Sequence, residues 1–255
     1  MKILSILSKK SSAFSLLEIL VAISVLSILL VILLNIVQNA TSLWRGAENK
    51  VEAYREARAA LQVISSDLKN ILPTTNTDFF RTNLTNSPNI GFLAALPISS
   101  QDTTSSKSDV CAVAYFLAYD NKSPVAGVNG RQSYNLYRFF LESNETFAKL
   151  TNNAQSVLNL NTNNFEILAR NVIGFQTAYF ITNASGGFTN WTQSATSPMP
   201  HLVEIKITSL NNERTMRFSP RNAESEWQNF STNTNSPDYL KNTKTFTTKI
   251  KLETP

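Results

Sequence analysis

The stretch that decides the fold is FSLLEILVAISVLSILLVILL, residues 14–34, an apolar run of 21 residues interrupted by one charged side chain, Glu18. The next charged residue is Arg45, so 26 consecutive positions (19–44) carry no charge. A helix of about 20 apolar residues spans the hydrocarbon core of a bilayer. The run also exceeds the apolar region of about 7–15 residues typical of a secretory signal peptide. We therefore expect one transmembrane helix over residues 14–36.

The segment before this run, MKILSILSKKSSA (residues 1–13), is a short basic leader. Positive charge is retained on the cytoplasmic side of a membrane, and the residues that follow the apolar run are nearly balanced in charge. We therefore expect a single-pass protein with its N-terminus in the cytoplasm and its remaining chain outside. The net charge of +5 falls to +2 (20 basic against 18 acidic residues) without the leader lysines at positions 2, 9 and 10. This balance does not favour nucleic-acid binding, and we expect no nucleic acid as a partner.

Residues 37–72 continue the helical pattern with an apolar face on one side only. Apolar side chains recur at three- and four-residue steps, which is typical of an amphipathic helix: Trp44, Ala47, Val51, Tyr54, Leu61, Ile64, Leu68 and Ile71. Pro73 cannot continue a helix. The pattern predicts one continuous helix from Phe14 to Leu72, apolar all round in its first half and docked on a domain in its second half.

The remainder, residues 73–255, predicts a β-rich globular domain. Hydrophobic residues make up 42% of the chain, which is enough for a core and excludes wholesale disorder. Residues 73–108 are rich in Thr, Asn, Ser and Pro, and we expect a long surface connection there. Six strands are predicted after it: Val110–Tyr119, Asn135–Glu142, Val172–Ile181, Leu202–Ser209, Arg214–Phe218 and Thr245–Leu252. The expected class is α+β, with a long N-terminal helix packed on an antiparallel sheet domain.

Reactive side chains are scarce in this sequence. With one cysteine, Cys111, and one histidine, His201, the chain holds neither a disulfide framework nor a Cys/His zinc site of its own. Cys111 lies in the most apolar predicted strand, where a free thiol acts as a small hydrophobe. His201 stands at a strand entry, where a surface or packing role is expected. We expect no enzyme activity and no cofactor.

Polar loops offer two weaker candidates. Glu224, Glu226 and Asp238 lie in or near the predicted loop 219–243, and whether they bind calcium is left open, because such a site needs several converging oxygens. Trp191 and Trp227 occupy polar stretches, where each could anchor a partner or, equally, fasten a loop to the core.

The sequence Ala13-Phe14-Ser15-Leu16-Leu17-Glu18 resembles the prepilin processing site of type IV pilins and type II secretion pseudopilins. In that family a basic leader ends in a small residue, a methylated Phe begins the mature chain, and Glu stands fifth. The resemblance implies that a prepilin peptidase cuts after Ala13, where the family overwhelmingly has Gly, and that the amine of Phe14 is methylated. It further implies that Glu18 neutralises the Phe14 amine of a neighbouring prepilin-like subunit, with the chain in the inner membrane and its domain in the periplasm.

Further segments look similar to the J-type minor pseudopilins. They are Leu168, Val172, Phe175 and Tyr179, then Trp191, then MPHLVEIKI (residues 199–207), together with Ser66-Asp67-Leu68 and Leu136-Tyr137-Arg138. Prepilin-like proteins of planctomycetes and verrucomicrobia have a similar layout. These resemblances imply a minor pseudopilin in a type II secretion-type apparatus. The alternative is a minor type IV pilin for adhesion, motility or DNA uptake, and a membrane-anchored enzyme is disfavoured because no nucleophile–base set is present.

Overall fold

A single long helix, α1 (Leu16–Lys69), begins the described part of the chain. The computed structural model describes residues 15–72, 80–82, 89–97, 108–120, 133–152, 165–192, 199–215, 217–218 and 222–252. The chain divides into two compact units, residues 1–48 and residues 49–255. The helix ends three residues before the predicted Leu72, because Ile71 leaves it to form an antiparallel bridge with Ala94. The Leu72 N–H then donates to the Leu93 carbonyl at 2.9 Å.

In the first unit, apolar side chains cover every side of α1. The large apolar side chains from Leu16 to Val37 are each at least 49% exposed, and the helix is long and apolar enough to cross a membrane. The hydroxyls of Ser24, Ser27 and Thr41 donate to carbonyls four residues earlier at 2.8, 2.8 and 2.7 Å. Because each hydroxyl is hydrogen-bonded within the helix, these three polar side chains can lie in apolar surroundings.

The second unit contains two antiparallel sheets. The first sheet has the order β1-β2-β3-β4-β5 and the second has the order β7-β6-β8-β9. The strands are β1 (Phe80–Thr82), β2 (Asn89–Ala95), β3 (Val110–Asp120), β4 (Ser133–Leu141), β5 (Phe165–Ala169), β6 (Val172–Thr182), β7 (Phe188–Asn190), β8 (Leu202–Leu210) and β9 (Thr243–Lys251). Shorter helices are α2 (Ser143–Asn152), α3 (Asn212–Thr215), α4 (Ala223–Thr232) and α5 (Pro237–Asn242). The predicted α+β class is confirmed.

The main core lies where α1 packs against both sheets. Ala57, Ala60, Leu61, Ile64 and Leu68 are buried and recur at three- and four-residue steps along one face of the helix. The same cluster takes in apolar side chains from β2, β3, β4, β6, β8 and β9. Because both sheets bury side chains against one helix face, removing that face would open the core of the whole second unit.

The predicted docking face starts too early. Within the second unit, Val51 is 65% exposed, whereas burial begins at Ala53. The helical spacing of Val51 is correct, but spacing alone does not show which residues of an amphipathic helix are buried.

Two predicted segments are wrong. Residues 73–108 are not one surface connection, because β2 lies within them with Ile90, Phe92 and Ala94 fully buried. Arg214–Phe218 is not a strand, because the N–H groups of Arg214 and Thr215 bond to the Asn211 carbonyl and form α3. The other five predicted strands are confirmed, with bounds shifted by one or two residues.

Candidate processing and assembly site

Glu18 lies in the first turn of α1, with an exposed side chain. The Ser15 carbonyl accepts the N–H of Glu18 at 2.9 Å and that of Ile19 at 3.2 Å, and these bonds form the first turn. A carboxylate at this end of a helix is stabilised by the positive end of the helix dipole. Ala13 and Phe14, the predicted cleavage and methylation residues, lie outside the described residues.

The surroundings of Glu18 on the helix are apolar. Leu16, Leu17 and Leu20 are 82%, 73% and 61% exposed, so large apolar side chains flank the carboxylate on the described part of the helix. Along the helix the next charge is Arg45, about 40 Å away at 1.5 Å per residue. A carboxylate near a bilayer core is costly without a partner. Within the described part of α1, the cation nearest to Glu18 in sequence is therefore too far away to pair with it.

A second set of polar side chains joins the C-terminal end of α1 to the first sheet. The Oδ2 atom of Asp67 accepts from the Tyr115 hydroxyl, from Arg138 Nε at 2.9 Å and from Arg138 Nη2 at 2.8 Å. Arg138 Nη1 lies 2.8 Å from Glu166 Oε1 at the exposed end of the set. Burial and the neighbouring Asp67 carboxylate raise the pKa of the Tyr115 phenol well above its usual range. We call these four residues the Asp67 cluster.

The role of the Asp67 cluster is to hold the helix on the sheet. Tyr115 and Arg138 are direct cross-strand partners on β3 and β4, so both reach the helix from one face of the first sheet. Asp67 and Arg138 lie in two segments that are far apart in the sequence, and the structure brings them together. Sequence reasoning did not pair them, because 71 residues separate them in the chain.

A further anchor of α1 lies at the turn between the two sheets. Glu56 Oε2 accepts the Arg170 N–H at 2.8 Å, and Arg170 Nη1 lies 3.7 Å from Glu56 Oε1. Asn171, next in the turn, has φ of 56°, a conformation that Asn adopts more readily than most residues. The helix is thus bonded to the point where the chain passes from β5 to β6.

The two potentially reactive side chains occupy packing positions. Cys111 is fully buried on β3, and burial raises the pKa of its thiol to about 11. It is therefore a neutral thiol at pH 7, as its predicted role as a small hydrophobe requires. His201 Nδ1 lies 2.9 Å from Thr182 Oγ1 and accepts the Thr182 N–H at 3.1 Å. This contact ties the start of β8 to the end of β6.

The carboxylates considered for calcium lie on two short helices. Glu224 and Glu226 are in the first turn of α4, whereas Asp238 is in α5 and pairs with Arg214 Nε at 2.8 Å. Within the described ranges, no group of three or more His, Cys, Asp or Glu side chains could hold a metal ion. Residues 219–221 of the candidate loop lie outside those ranges.

The two tryptophans in the predicted polar loops, Trp191 and Trp227, are core residues. Trp227 is 1% exposed on α4 and packs with Phe218 at 5.1 Å and Tyr134 at 6.1 Å between ring centroids. Trp191 is 9% exposed and belongs to the main core, with its ring 5.7 Å from that of Tyr179. These contacts favour core anchoring over partner anchoring for both residues.

Residues 8–34 match the prokaryotic N-terminal methylation motif. The match covers the end of the leader, Ala13, Phe14, Glu18 and most of the apolar half of α1. No curated protein matches the chain. The motif supports a subunit like the type IV pilins and pseudopilins, and together with the apolar half of α1 it indicates a membrane-anchored protein. It also implies, in general terms, a prepilin peptidase and assembly with similar subunits.

Proposed function

We propose that the chain is a minor pseudopilin-like structural subunit of a pilus-like fibre in a type II secretion-type apparatus. The observation that carries this proposal is Glu18, a lone carboxylate on the exposed apolar surface of a helix whose first half matches the methylation motif. A membrane tether has no use for such a carboxylate, whereas assembly with a charged amine of another subunit requires one. The resemblance of the domain to J-type minor pseudopilins supports the minor role.

In this proposal a prepilin peptidase cuts after Ala13, and the new Phe14 amine is methylated. The amine is positively charged, and the Glu18 carboxylate of one subunit neutralises it in the next. The N-terminus faces the cytoplasm, and residues 73–255 form the periplasmic domain. The protein acts by non-covalent assembly and is not an enzyme.

The alternative is a minor type IV pilin, since pilins carry the same motif. A pilin for DNA uptake would expose a basic surface. The chain without its leader lysines has 20 basic and 18 acidic residues, which does not favour that role. Deleting the gene separates the two functions: loss of exported proteins from the medium supports secretion, whereas loss of motility or DNA uptake with normal export supports a pilus.

Replacing Glu18 tests the assembly role. Deleting one partner of a partly buried ion pair costs about 3–5 kcal/mol, because the other charge is left alone. Glu18→Leu should therefore lower crosslinking to other prepilin-like subunits by more than about a hundredfold, at about 1.4 kcal/mol per decade. Ser24→Leu is the matched control, because its hydroxyl is already satisfied within the helix. It should crosslink as the wild type does.

Mass spectrometry of the N-terminal peptide belongs to the same experiment. Both variants should still be inserted and should begin at a methylated Phe14. Equal crosslinking of Glu18→Leu and wild type would reject the assembly role of Glu18. A retained Met1, or a start after Ala40, would reject the processing site.

A further inference from the structure

A groove runs between α1 and β9, the last strand of the second sheet. Helix residues between Arg58 and Lys69 form one wall, and Phe246, Thr247 and Thr248 form the other, around a volume of about 600 Å³. The Arg58 guanidinium lies 5.3 Å from the centre of the Phe246 ring, at the side of the groove. The lining contains two cations and no carboxylate.

The groove lies beside the open edge of the second sheet. The Leu252 N–H donates to the His201 carbonyl and the Asn211 N–H donates to the Asn242 carbonyl, each at one end of the β8–β9 ladder. In an antiparallel ladder the hydrogen-bonded pairs alternate. The even-numbered residues of β9 therefore bond to β8, and the backbone groups of Thr245, Thr247 and Lys249 point away from it. Within the described ranges, β9 pairs with β8 alone.

The charge around this edge is positive. Arg58, Lys69 and Lys251 are exposed, and the Glu204 carboxylate on β8 is already shared by Lys206 at 2.9 Å and Lys249 at 3.3 Å. Lysines on an edge strand oppose pairing with neutral or basic strands. The same charges attract a strand that carries carboxylates.

We propose that this edge binds an extended acidic segment of another polypeptide, which adds to β9 as a fifth strand of the second sheet. Its backbone pairs with Thr245, Thr247 and Lys249, and the side chains on its inner face enter the groove, where carboxylates meet Arg58 and Lys69. Strand addition takes its affinity from main-chain hydrogen bonds and its specificity from alternate side chains. This inference goes beyond the proposed function and does not rest on it.

Charge preference provides the first test. The full chain in detergent micelles is titrated into a fluorescent peptide of about ten residues in which threonine and glutamate alternate, and into a peptide with lysine in place of glutamate. The glutamate peptide should bind at least about tenfold more tightly, because its charge is complementary. The double variant Arg58→Glu/Lys69→Glu should reverse this preference, a gain of binding that a misfolded protein cannot imitate.

Backbone pairing provides the second test. Thr247→Pro removes the N–H that faces the open edge without touching the ladder to β8, whereas Thr247→Val keeps it. Binding of the glutamate peptide should be lost in Thr247→Pro and kept in Thr247→Val. If Thr247→Pro does not fold, the peptide preference of the charge-reversed variant tests the proposal instead. The proposal is overturned if the glutamate peptide does not bind, or if a short oligothymidylate binds in its place. It is also overturned if a folded Thr247→Pro binds the glutamate peptide as the wild type does, or if the charge-reversed variant still prefers the glutamate peptide.

Discussion

At Asp67 a single carboxylate oxygen accepts hydrogen bonds from Tyr115 and from Arg138, both largely shielded from water. Asp67→Ala would leave the Arg138 charge and the Tyr115 hydroxyl without their shared acceptor. We expect this change to lower the free energy of unfolding by about 3–5 kcal/mol, measured by urea denaturation.

Glu166 is the matched control, because it pairs with the same Arg138 at the same 2.8 Å but has a 55% exposed side chain. Glu166→Ala should cost about 0–1 kcal/mol, as solvent-exposed ion pairs do. Equal losses in the two variants would show that burial does not decide the strength of the Asp67 cluster.

Cys111 makes the stability of the domain depend on pH in the alkaline range. The pKa of its thiol is raised from 9.0 to about 11 in the folded protein, so the folded state holds this proton more tightly than the unfolded state does. The contribution of this protonated thiol to the free energy of unfolding is fully present below pH 9.0 and is lost as the pH rises towards about 11. The free energy of unfolding should therefore fall over this range, and it should fall less steeply in Cys111→Ala. Parallel slopes for the two proteins would contradict this assignment.

The methylation motif over residues 8–34 could be predicted from sequence because its residues are contiguous in the chain. Glu18 is identified by its place in an apolar run, and no knowledge of the fold is needed. The Asp67 cluster could not be predicted, since Asp67, Tyr115 and Arg138 come from separate elements. Its members become partners only through the docking of α1 and the register of β3 with β4.

At the scale of the element, α1 changes its environment between its two halves. Ile64 is fully buried against the sheets, whereas Val51 is 65% exposed on the same helix. Ile64→Ala should destabilise the protein by about 2–5 kcal/mol, since it leaves a cavity in the main core. Val51→Ala should change the stability by no more than about 0.5 kcal/mol. Thermal or urea unfolding of the two variants measures the difference. A large loss of stability in Val51→Ala would show that the docking face includes Val51, as the helical spacing predicts.

Elements with long apolar patterns could be predicted, and short ones in polar surroundings could not. The strand β3 is apolar over most of its length, and β8 alternates buried Val203, Ile205 and Ile207 with more exposed residues. By contrast, β2 has seven residues and lies within a stretch rich in Thr, Asn and Ser. The helix α4 buries only two large side chains, Trp227 and Phe230, too few to show a helical period.

At the scale of the whole molecule, the second unit holds its own core. Its buried side chains begin at Ala53, and its sheets and helix face lie within residues 49–255. A fragment of residues 44–255 should therefore be soluble and unfold in one cooperative transition, measured by circular dichroism on heating. An aggregate without a cooperative transition would mean that the core needs the apolar half of α1.

The main core joins the first described element to the last, since Ile64 on α1 and Leu252 after β9 belong to one cluster. At a synthesis rate of about 5–20 residues per second, the ribosome makes Leu252 roughly ten to forty seconds after Ile64. The apolar half of α1 can enter the membrane during this interval, but the docking face still lacks its final partners. We therefore expect the newly made domain to become resistant to proteases only after the nine residues of β9 have been synthesised, although the helix that they help to cover was synthesised first.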